Sequence, residues 1–263
     1  MRIFAAAVLG VTLASTMPAL AADVMSAPVD VSPAPTPSRD WRFEATFYGW
    51  LSGVSGDVGV HGLGPVKVDV SPSDAVRDLK GALMLSVGAI SDDWMVLSDL
   101  MVTKVSTDGD IDRALLHYDF SQTQVTFQGI VGYRLPLDIP KLKLSATAGF
   151  RYQNLSADLS IGPAVVPVAL SAAGTVQWID PTIGLFAHYD FNDRWFVNLL
   201  GDVGGFGVGS NFTWQAFGAL GYNWTRTIST SLGYRAIFED YKSGGFIYDT
   251  TQQGVFAGIG IRF

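Results

Sequence analysis

A histidine beside a carboxylate is the commonest sequence trace of a general base, and the chain has three histidines. His117 stands two positions before Asp119, and His188 two before Asp190, so on an extended strand each pair shares one face. His61 lies in a glycine-rich stretch and reads as a solvated loop residue. Asp108-x-Asp110-x-Asp112 has the spacing that opens a calcium loop. Arg113, however, stands where that loop needs glycine, and no glutamate follows at its twelfth position, so it reads as a solvated acidic loop. Residues 201–209 are glycine-rich but lack the Gly-Lys-Ser/Thr ending of a phosphate cradle and lie between two strands. The absence of cysteine removes disulfides, thiolate metal sites, cysteine nucleophiles and a lipid anchor on an N-terminal cysteine. This inventory leads us to expect no metal and no cofactor. A net charge of −7 argues against a nucleic-acid partner.

The remaining charged residues follow a rule of parity. From Trp41 onward apolar side chains recur at every second position, the period of a strand. Val255, Ala257, Ile259, Ile261 and Phe263 share one face, against Phe256, Gly258, Gly260 and Arg262 on the other. Residues 142–152 and 195–203 alternate in the same way. Ten such segments are found, at about 41–51, 81–90, 94–105, 118–135, 141–158, 174–189, 195–206, 211–224, 228–239 and 251–263. Their connections alternate between short (91–93, 136–140, 190–194, 225–227) and long (52–80, 106–117, 159–173, 241–250), with a tight exception at 207–210. This layout predicts an all-β fold, a transmembrane antiparallel up-and-down β-barrel of about ten strands. The even count places both termini on the short-turn, periplasmic side. Within the longest loop, residues 66–70 alternate again and predict a strand extension above the membrane.

The N-terminus reads as an export signal over 1–21: Met1-Arg2, an apolar stretch from Ile3 to Leu13, and Ala19-Leu20-Ala21 before the cut. Residues 22–40 carry four prolines and read as a periplasmic spacer, which leaves 41–263 for the barrel and the outer membrane as its place. Past that signal the longest nearly unbroken apolar run, 81–90, is about half of the ~20 residues a membrane helix needs.

A soluble barrel would turn its apolar face inward. Here the outward sets place Trp94, Trp195 and Trp224 beside three short turns, with Tyr133 and Tyr189 at the same boundary. Rings gathered at one depth are an interfacial girdle. The opposite faces then form a lumen lined by Arg42, Arg134, Lys143, Arg151, Arg235 and Arg262, with Glu44, Asp99, Asp180, Asp202 and Glu239 among them. Six cations against five anions in a narrow bore predict an ion network that plugs it, because an unpaired buried charge costs several kcal/mol. A selective narrow pore is the second reading. An outer-membrane lipid- or peptide-cleaving enzyme is the third, ten strands being also the format of the omptin proteases. Against that third reading, the parity of Val125, Phe127 and Val131 turns His117 and Asp119 outward, while His188 and Asp190 face inward at the short-turn end.

Gly258-x-x-Ile261-x-Phe263 resembles the C-terminal assembly signal of bacterial outer-membrane barrels, although Phe256 departs from its usual polar start. The expected partners are therefore the barrel-assembly machinery, through the last strand, and outer-membrane lipid with its lipopolysaccharide. Further stretches carry a family resemblance: Trp41-Arg42-Phe43-Glu44-Ala45-Thr46-Phe47-Tyr48-Gly49-Trp50-Leu51, Trp178-Ile179-Asp180-Pro181, and the run from Gly204 to Gln215. With Gly233-Tyr234-Arg235 and the run from Gly244 to Asp249, they resemble an uncharacterised family of proteobacterial outer-membrane β-barrel proteins, similar in general architecture to OmpA and OmpW. The resemblance implies fold and location. It carries over no catalytic residue, and the expected role is structural, in the cell envelope.

Overall fold

The computed structural model describes residues 41–59, 65–111, 116–163 and 170–263. The expected signal peptide, the spacer and His61 lie outside the described residues. The elements are β1 (Arg42–Gly59), β2 (Val66–Val70), α1 (Pro72–Asp78), β3 (Leu79–Ile90), β4 (Trp94–Ile111), β5 (Leu116–Arg134), β6 (Leu142–Pro163), β7 (Leu170–Asp190), β8 (Trp195–Gly204), β9 (Phe212–Asn223), β10 (Ile228–Ser243) and β11 (Phe246–Arg262). All neighbouring pairs are antiparallel, and β11 pairs back onto β1, so ten strands close into a barrel with β2 standing outside that closure. Closure gives each of the ten strands a neighbour on both sides, as a hydrocarbon environment requires, although β1 and β3 are paired with each other only over residues 42–47 and 85–90. No helix among the described residues is long and apolar enough to cross a membrane; the strands do the crossing.

The parity holds strand by strand. On β11 the inward Tyr248, Thr250, Gln252, Gly254, Phe256, Gly258 and Gly260 are buried, while Val255, Ile259 and Ile261 are exposed on the outer face. The girdle is built of ring pairs at the short-turn end. Trp94 meets Tyr133 edge-on at 5.0 Å, and Trp195 meets Tyr222 at 4.9 Å, with Trp224 beyond it at 4.8 Å. Phe43 stacks on Phe263 at 6.0 Å, where the Phe43 and Phe263 backbones exchange hydrogen bonds of 3.2 and 3.0 Å and close the wall.

The strands run further than alternation alone predicts. β4 continues to Ile111 and β5 starts at Leu116, so Asp108 and Asp110 lie on a ladder opposite Asp119 and His117 rather than in a loop. β10 and β11 are joined by Gly244-Gly245 alone, both at positive φ. The expected strand at 66–70 is β2, laid along the far part of β1. β8 and β9 are the short pair, joined through Gly205-Phe206-Gly207, all three at positive φ.

Candidate functional site

Strand parity carries the long polar side chains of eight strands into one bore, where they meet at three heights. At the centre, Arg235 of β10 donates to Asp99 of β4 at 3.0 Å and to Gln215 of β9 at 2.8 and 3.2 Å. Tyr48 of β1 completes the group, donating to both Asp99 oxygens at 2.8 and 2.9 Å and accepting from Arg235 at 3.3 Å. The Arg235 guanidinium lies 5.4 Å from the Trp50 ring, whose indole N–H donates to the Arg235 carbonyl at 3.3 Å. Higher up, Arg151 of β6 is fully buried and donates to Asp202 of β8 at 2.7 Å and to the Thr213 hydroxyl of β9 at 2.7 Å. Gln128 of β5 donates to the second Asp202 oxygen at 3.0 Å. Gln153 of β6 accepts from Thr126 at 2.6 Å and donates to Glu239 of β10 at 2.8 Å. Near the short turns, Arg262 donates to Glu44 and Asn223 at 2.8 Å each.

Among the charged residues on the inner face, three ion pairs form: Arg235 with Asp99, Arg151 with Asp202, and Arg262 with Glu44. The other members sit differently. Asp180 is fully buried but accepts from the Ser210 amide at 2.6 Å, which ties the β8–β9 turn to β7. Glu239 has a glutamine for its neighbour. Arg42, Arg134 and Lys143 have no carboxylate within ion-pair reach among the described residues, and Arg134 donates to the Asp92 carbonyl at 3.2 Å. These three line a cavity of about 390 Å³ at the short-turn end, with Glu44, His188 and Arg262.

Parity alone did not single out Tyr48, Gln153, Thr126 or Thr213. Tyr48, Thr126 and Gln153 share the inward face of their strands with a charged residue (Glu44, Arg134 and Arg151), which was the available signal; Thr213 shares its face with Gln215 and with no charge on its strand. The lumen also holds an apolar cluster of Trp50, Met84, Met101, Ala219, Ile237 and Phe256 beside the Arg235 group. At the far end Trp178 stacks on Tyr241 at 4.1 Å, joining β7 to β10 above the short β8–β9 hairpin.

Among the described side chains, the His188–Asp190 pair forms no catalytic constellation. His188 points its Nε2 at Asp190 (3.1 Å) and its Nδ1 at Asn198 (2.6 Å), so both ring nitrogens are engaged and neither faces a nucleophile. His117 stands opposite Asp110 and Gly162 in the ladders. Gly258 of the terminal motif lies in the lumen, while Ile261 and Phe263 face outward, 43% and 73% exposed.

No family model matches the chain, nor does any curated protein. Solved structures do. The outer membrane protease OmpT of Escherichia coli superposes with a TM-score of 0.52 at 11% identity, over 86% of this chain and 98% of that one. The translocator domain of the autotransporter NalP of Neisseria meningitidis gives 0.40 at 11% identity (85% and 88% covered). The attachment invasion locus protein Ail of Yersinia pestis gives 0.33 at 11% identity (85% and 98% covered). The likeness to OmpT, at 11% identity, speaks for the fold and for no activity. That fold is the transmembrane antiparallel β-barrel of the outer membrane.

Proposed function

We propose that the chain is a sealed outer-membrane barrel with a structural role in the envelope, its short-turn side and both termini facing the periplasm. One observation carries this reading: Arg235 and Asp99, four strands apart round a ten-strand wall, meet at 3.0 Å inside the bore with Tyr48 and Gln215 around them. A permeation path lined by Arg151 at 0% and Arg235 at 4% exposure would have to break charge-assisted hydrogen bonds that the narrow bore holds in place. The outward face of ring girdles and apolar residues suits outer-membrane lipid and lipopolysaccharide as surroundings, and the lipid-facing Ile261 and Phe263 suit recognition by the assembly machinery. Single-channel recording in planar bilayers tests the reading. The wild-type protein stays silent, whereas Arg235→Ala combined with Arg151→Ala gives discrete openings; steady openings of the wild type would overturn it.

The cavity lined by Arg42, Arg134 and Lys143 favours the runner-up, a narrow channel, because unpaired cations at one mouth would draw anions. In that case the same recordings give a wild-type conductance with anion preference. An enzymatic role has only the His188–Asp190 pair to rest on among the described side chains, and the Asn198 contact occupies its second nitrogen.

A further inference from the structure

The barrel wall is not hydrogen-bonded along its whole height. On one side β1 pairs with β11 without interruption from Glu44 to Gly59. On its other side, residues 42–47 pair with residues 85–90 of β3, and residues 54–58 pair with β2. Residues 48–53 of β1 have no strand partner on that side, and neither do residues 80–84 of β3 on theirs. The Trp50 amide, which would reach a β3 carbonyl in a closed wall, donates instead to the Met84 sulfur at 3.2 Å. A thioether is a weak acceptor.

The break lies at membrane depth. A strand tilted ~40° climbs about 2.5 Å per residue along the barrel axis, so an apolar band ~25 Å tall covers roughly ten residues. Counted from Phe43, which stacks on Phe263 at the short-turn boundary, that band ends near Gly53. There Val70 and Pro72 close over β1: a side chain at position 53 would collide with the Val70 carbonyl and the Pro72 ring. The seam therefore occupies the half of the bilayer toward the long-strand end, roofed by β2 and α1.

Its rim is apolar and faces lipid: Phe47, Leu51 and Leu83 are each about half exposed. Lys80, Gly81, Ala82 and Leu83 are exposed in unbroken succession, whereas a closed wall buries every second residue. Behind the rim lie Met84, Trp50 and Met101 of the lumen cluster. In hydrocarbon, open backbone edges occur only where something covers them. The neighbour available at this depth is lipid, and the surface it would meet is greasy and partly flexible.

We propose that the seam between β1 and β3 is a binding groove for one acyl chain of a membrane lipid, laid between the strands against Met84 and Trp50. It leaves the Arg235–Asp99 plug intact, and so does not depend on the lumen being sealed or open. A second copy of the chain adding its own strand to this edge is the competing occupant.

The absence of cysteine makes a direct test clean. Met84→Cys and, as control, Ala219→Cys each place one thiol inside the bore, the second behind ladders that are complete on both sides. Each protein is reconstituted in phosphatidylcholine vesicles containing a long-chain N-alkylmaleimide confined to the bilayer. Alkylation of the thiol at 84, with that at 219 spared, is the expected result; equal labelling, or none at 84, overturns the proposal. The second measurement uses Trp50 as the sole tryptophan and phosphatidylcholine brominated on its acyl chains. Emission from Trp50 should be quenched well beyond that of a Trp-free background carrying Phe196→Trp, a lumen position with a complete wall behind it. Equal quenching at the two sites, or protection of position 84 through a cross-linkable dimer, rejects the acyl chain as occupant.

Discussion

At the scale of single residues, the lumen is a set of buried charges whose cost depends on their partners. Arg151 is 0% exposed and its carboxylate partner, Asp202, also satisfies Gln128. Asp202→Ala would leave a guanidinium in the bore with only the Thr213 hydroxyl, which costs about 3–5 kcal/mol. Removing both charges together, as Asp202→Ala with Arg151→Met, should recover a large part of that loss. Denaturant unfolding in detergent, read by tryptophan emission, measures both; a double variant no better than the single one would mean that the charge is not the cause. A packing prediction sits one layer down, where the Phe196 ring lies directly over Gly221 and a methyl group there would collide with it. Gly221→Ala should cost about 1–3 kcal/mol, and Phe196→Leu in the same chain should relieve it, as the same unfolding curves would report. The inward set was legible in the sequence because parity names a face. Partnership was not. Arg235 meets Asp99 from 136 positions away, and which residues share a height depends on strand tilt and register, which alternation does not encode. The neutral members Tyr48 and Thr213 stayed hidden for the related reason that only charges force a search for a partner.

At the scale of elements, the short turns and the girdle were readable, and the outer ends of the strands were not. Alternation is visible only while one face meets lipid. Past the bilayer both faces are wet, so Ser106, Thr107 and Asp108 look like loop although they continue β4. The tight β8–β9 connection is the element most exposed to backbone chemistry. Gly205 has φ +87°, and a side chain there would press on Ser210, whose amide binds Asp180. Gly205→Ala should therefore destabilise the hairpin by more than the ~1–2 kcal/mol of a left-handed residue alone. Hydrogen exchange supplies the check: amides of β8 and β9 should lose protection while those of β5 and β6 keep theirs. Uniform loss across the barrel would show that the turn is not an independent unit.

At the scale of the whole molecule, the decisive question is which medium touches the outer face, since the same alternation would serve a barrel standing in water. Leu199 and Phe191 are equally exposed, at 49% each. Leu199 lies four residues along β8 from the girdle residue Trp195, close to mid-band, whereas Phe191 lies beyond β7 in the short turn. In a bilayer the two positions are unequal. Arginine on the lipid face costs about 2–4 kcal/mol at the midplane and about 0–1 near the interface. Leu199→Arg should thus lower the unfolding free energy in phosphatidylcholine vesicles by that larger amount, and Phe191→Arg by little. Water would treat them alike, because neither position packs against a core. Small and equal costs at both positions would mean that this face never meets hydrocarbon. The lumen network would then be the wet interior of a soluble barrel, and the ring pairs at Trp94 and Trp195 would lose their reason for sharing one depth.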